Sequence, residues 1–190
     1  MEIANDFELA NIVVEVNERL QAIQNYCGIE KNEIAKVKFP RGFIRTALSH
    51  RKKLPAGLPP LLRHNISYSL MTLDVFRWLI IRTDISRSAS SMVIKRAIAI
   101  LAELMETFVK HYAKRKKFDK AVNFLEERKI LNSELSKDLK NVWKMRATIH
   151  LWEAKELEHD KFKANDYNKI LATYEKLREN LIKEYGLQSH

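Results

Sequence analysis

Four glycines and four prolines in 190 residues leave too few turn formers for a many-stranded sandwich or barrel, where every strand needs a turn. The chain must therefore reach its folded state through long elements, which means helices. Length fits this: 190 residues is a soft prior for one domain and can bury roughly 70% of the surface exposed by the unfolded chain. With 46% hydrophobic and 31% charged residues, the composition is that of a globular chain rather than a disordered one. The expectation is all-α: a compact single domain over residues 1–190, a bundle of about five to seven helices.

Several classes fall away on the same counts. A single cysteine, Cys27, excludes an internal disulfide framework and a cysteine-rich zinc site. Next to Gly28, it reads as a small buried hydrophobe rather than a nucleophile. No apolar run approaches the ~20 residues of a membrane span, and the first ten residues, MEIANDFELA, are acidic where a signal peptide is basic. A cytoplasmic protein without membrane contact is expected.

The net charge of +10 is unevenly placed. Residues 1–33 carry 2 basic and 7 acidic side chains, net −5. Residues 34–73 carry 8 basic side chains (Lys36, Lys38, Arg41, Arg45, Arg51, Lys52, Lys53 and Arg63) and no carboxylate. A second basic run follows at Lys114, Arg115, Lys116 and Lys117. A stretch that cannot neutralise itself presents a positive field to solvent or to a polyanion, and RNA is the polyanion it suits. Arg41, Arg45, Arg51, Lys52, Lys53, Arg63 and Lys114–Lys117 are the candidate RNA-binding residues. The plainer alternatives are solvation, pairing with the acidic first helix, and, for 114–117, cations meeting the negative end of a helix macrodipole.

Hydrophobic periodicity predicts a helix over 5–27 stopping at Gly28, irregular chain to 41, and a short helix near 43–52 with Arg45 and Arg51 outward. Leu54 to Pro60 is a loop. Asn65 is a plausible cap for a helix over 66–82, apolar on nearly every side and so suited to the middle of a bundle or a subunit interface. Further helices are expected near 89–113, 118–129, 134–153 after a Ser133 cap, and 166–185 after an Asn165 cap.

One helix contains a misfit. With Leu135 at zero on a helical wheel advancing about 100° per residue, Leu139, Val142 and Ile149 define an apolar stripe, and Arg146 falls near 20°, inside it. His150 lies one turn on, near 60°. A guanidinium on a buried face must be paired or must await an anion. The structural alternative is a salt bridge to a carboxylate on another helix, Asp74 for instance, beside a hydrogen-bonded core His150.

The stretch Leu139-Lys140-Asn141-Val142-Trp143-Lys144-Met145-Arg146-Ala147-Thr148-Ile149-His150-Leu151 resembles the signature helix of HEPN domains, and the resemblance extends over residues 134–185. In that family an Arg and a His end the penultimate long helix of an α-bundle. Three departures stand beside the likeness: three residues separate Arg146 from His150 rather than four to six, Ala147 replaces the usual Asn, and Trp152 replaces the Tyr that one branch modifies. The resemblance implies metal-independent RNA cleavage, with Arg146 holding the scissile phosphate and His150 exchanging protons. It also implies a homodimer that brings two Arg146 and two His150 into one cleft. No metal or cofactor is signalled: His150 and His159 lack the i, i+4 spacing of a helical zinc pair, and His50, His64, His111 and His190 receive no role. The expected function is an HEPN-like endoribonuclease, the toxin of a toxin–antitoxin or phage-defence system with a protein antitoxin as candidate partner. The alternatives are a non-catalytic basic RNA-binding module and a regulatory helical protein.

Overall fold

The structure is a computed structural model that describes residues 2–149 and 161–187. It is all-α: seven α-helices and no strand are found among the described residues, with one isolated antiparallel bridge between Pro55 and Leu187. The chain divides into two compact units, Met1–Arg41 and Gly42–His190.

Met1–Arg41 holds α1 (Asp6–Cys27) and a 3-10 turn (Glu33–Ala35). The Asn5 side chain accepts from the Glu8 N–H at 2.9 Å, and Gly28, at φ 56°, closes the helix as its sequence predicts. No residue of α1 is buried. Leu9, Val13, Val16, Leu20 and Ile23 keep a seven-residue repeat yet remain 39–47% exposed, because this short unit has too little chain to cover them. Cys27 is half-buried rather than buried.

Gly42–His190 is a bundle built around α4 (Arg87–Ala113), which packs against α3 (Pro60–Arg82), α5 (Phe118–Glu127), α6 (Ser133–Ile149) and α7 (Ala164–Tyr185). The short α2 (Ala47–Arg51) lies on α3. Ala97, Ile98, Leu101 and Phe108 are fully shielded, so the middle of the bundle is α4 and not the more apolar α3. On α3 the apolar residues are in excess of what one face needs, and Leu61, Tyr68 and Ile81 are left exposed.

Element starts differ from the sequence reading for local reasons. Helix α3 begins at Pro60, six residues before the expected start, because a proline at the first helical position gives up no hydrogen bond. Helix α2 is shorter than expected and is capped by Thr46, whose hydroxyl accepts from the Ser49 N–H at 3.1 Å. Asn132, not Ser133, caps α6, accepting from the Leu135 N–H at 2.8 Å. Asp166, not Asn165, closes the start of α7 by accepting from the Lys163 N–H at 3.0 Å.

Candidate functional site

On α6, Leu135, Leu139 and Val142 are buried, as the wheel requires. Arg146 stands at the edge of that stripe with 31% of its side chain exposed. Its partner is a carboxylate on another helix, but Glu106 of α4 rather than Asp74: Nη1 lies 3.2 Å from Oε2. Glu106 also takes Lys110, one turn along α4. The Arg146 guanidinium lies 4.9 Å from the Trp143 ring centroid and Lys110 Nζ 5.6 Å from it, while Phe118 stacks on the same ring at 4.7 Å. Aromatic and carboxylate together fix the guanidinium in one orientation without sealing it from solvent. His150 lies outside the described residues, as do Trp152 and His159.

Asp74 has different partners. Arg45 was expected to face outward, yet it turns in and holds Asp74 through three hydrogen bonds: backbone N at 3.0 Å and Nε at 3.1 Å to Oδ2, and Nη2 at 2.6 Å to Oδ1. His50 Nε2 lies 3.0 Å from Oδ2. His50 and Asp74 are each 3% exposed, whereas Leu48, on the same short helix as His50, faces out at 51%. Burial by itself would raise the Asp74 carboxyl, but the Arg45 bonds outweigh it and hold it below the usual carboxylate range. Burial, helped by the Arg45 charge, lowers His50 and keeps it neutral, so its Nε2–H donates to Asp74. Sequence reasoning gave His50 no part. The available signal was Asp74 itself, the first carboxylate after forty residues without one and the only acid in an apolar helix.

The remaining candidate RNA-binding residues stand largely in solvent. Lys52, Lys53 and Lys114–Lys117 are exposed, Arg51 and Arg63 are half-exposed, and Arg41 is exposed within the Met1–Arg41 unit. The loop after α2 is pinned to the last turn of α4, where the Tyr112 hydroxyl donates to Ala56 O at 2.7 Å and His111 Nε2 lies 3.0 Å from Gly57 O. Lys114 itself ends the helix in the left-handed conformation at φ 51°. Arg115 stacks on the Phe124 ring at 4.7 Å. Among the described residues no group of three or more His, Cys, Asp or Glu is placed to hold a metal ion, and no helix is long and apolar enough to cross a membrane.

No family model and no curated protein matches the chain. Among solved structures, the chain is similar to YutE from Bacillus subtilis, described as a cytosolic protein of unknown function. The two are 17% identical with a TM-score of 0.49, over 67% of this chain and 95% of YutE.

Proposed function

We propose that the chain is an HEPN-like, metal-independent endoribonuclease that uses Arg146 and His150. The observation that supports this reading is the setting of Arg146: a guanidinium on an otherwise apolar face, oriented by Glu106 and Trp143, and still 31% exposed. An oriented, partly exposed arginine can take a phosphate oxygen without first paying for its own ordering. In the reaction, the ribose 2′-OH attacks the adjacent phosphorus and the P–O5′ bond breaks, leaving a 2′,3′-cyclic phosphate and a 5′-hydroxyl. His150 takes the 2′-OH proton or supplies the one that the leaving oxygen needs. In a homodimer the same motif from each copy provides both roles. The basic side chains at 51–53 and 114–117, exposed apart from the half-exposed Arg51, hold the strand through its phosphates. Action as a toxin, restrained by a protein antitoxin, belongs to the same reading.

A second reading has one observation in its favour. The Arg146–Glu106 pair gives the arginine a structural partner, which is what a non-catalytic RNA-binding module would need. The two readings separate on His150→Ala. Catalysis requires cleavage of RNA to be lost while RNA binding is kept; the second reading requires both wild type and variant to bind and neither to cleave. Full cleavage by His150→Ala would exclude this helix as the site.

A further inference from the structure

A cleft bordered by α2, α3 and α7 holds more positive charge than it neutralises. Four cations reach it, Arg45, Lys53, Arg77 and Arg178, against two carboxylates, Asp74 and Glu175, a surplus of two positive charges. Arg45 is taken up by Asp74, and Arg178 pairs with Glu175 at 2.5 Å. Lys53 and Arg77, both exposed, have no carboxylate at ion-pairing distance among the described residues, so the surplus is theirs.

Donors on the wall of the cleft also lack well-placed acceptors. Tyr167 Oη and Arg178 Nε are shielded from solvent without a hydrogen-bond partner, and Tyr174 Oη, beside the Arg178 guanidinium, has none of good geometry. The two tyrosines are 2% and 1% exposed. Burial raises both phenols, so they remain protonated and able to donate. Buried polar atoms are almost always bonded in folded proteins, and Tyr167 Oη together with the poorly aligned Tyr174–Arg178 contact in the same cleft points to a missing partner. That partner must offer several acceptor oxygens and about two negative charges. A carboxylate brings one charge and two oxygens, whereas a phosphate monoester carries about −1.5 to −2 near neutrality with three strong acceptors.

We infer that this cleft binds the phosphoryl group of free phosphate or of a small phosphate monoester, with Lys53 and Arg77 meeting its charge and Tyr167, Tyr174 and Arg178 bonding its oxygens. The site is separate from Arg146, which sits on α6 beside Glu106, and does not depend on RNA cleavage.

Calorimetric titration of the full chain with inorganic phosphate, adenosine 5′-monophosphate and adenosine, at constant ionic strength in chloride, tests the inference. Saturable binding of inorganic phosphate or the monophosphate, and none of adenosine, is expected; which of the two binds more tightly identifies the source of the phosphoryl group. Lys53→Gln with Arg77→Gln should weaken that binding at least tenfold, and both residues are exposed, so the core is untouched. Tyr167→Phe, which keeps the ring, should weaken it about threefold. Lys120→Gln with Lys137→Gln, two exposed lysines outside the cleft, should leave it unchanged. Absence of saturable binding to the wild-type chain, or equal binding by the Lys53/Arg77 variant, would overturn the inference.

Discussion

Asp74 ties two segments of the chain together, because Arg45 and His50 precede it by 29 and 24 positions and both end on its carboxylate. Asp74→Ala strands a buried histidine and a half-buried arginine. The expected loss is about 2–4 kcal/mol in chemical denaturation, below that of a sealed pair because 38% of the Arg45 side chain is exposed. The acid sensitivity of the fold follows from the same cluster. Asp74 is held below its ordinary value, so its contribution is full above about pH 4 and disappears as pH falls through the folded value. His50 is also lowered: below about pH 6.5 the unfolded chain takes a proton that the folded chain refuses, and stability falls. Denaturation at pH 7.5 and at pH values just below 6.5 should show a smaller loss for His50→Gln than for wild type. Equal losses would mean that His50 is not held neutral.

At the scale of the element, α6 carries both packing and the candidate chemistry, and the two can be separated. Leu139 is fully buried, so Leu139→Ala should cost about 2–5 kcal/mol. Arg146→Gln removes a partly exposed ion pair and should cost under about 1 kcal/mol. An Arg146→Gln protein that unfolds as readily as Leu139→Ala would make the arginine a core residue. The helices were legible in sequence because a 3.6-residue repeat and a shortage of turn formers are local properties. Starts were less so: Thr46, Asn132, Pro60 and Asp166 outcompete or outreach their neighbours by single hydrogen bonds or a missing one. The anomaly of Arg146 was legible from the wheel, but its partner was not. Glu106 and Asp74 are equivalent in sequence, and only the packing of α6 on α4 chooses between them. The inward turn of Arg45 was hidden for a similar reason, since a pattern of apolar residues cannot show a contact made across 29 positions.

For the whole molecule, the distribution of its +10 charge governs how it meets a polyanion. Binding of single-stranded RNA should weaken with salt along a log–log slope of about −0.7 per phosphate neutralised. Replacing Arg51, Lys52 and Lys53 by Glu should weaken binding and flatten that slope; no change in either would make the patch ordinary solvated surface. If cleavage needs the motif from two copies, activity per chain should fall on dilution, and full activity from a species that sediments as a monomer would exclude the shared cleft. The most direct measurement is the chemistry itself: purified protein incubated with RNA in the presence of a chelator, and the new ends identified. Fragments ending in 2′,3′-cyclic phosphate, formed with the chelator present and lost in His150→Ala, are the predicted result. Intact RNA, or cleavage that the chelator abolishes, would contradict it.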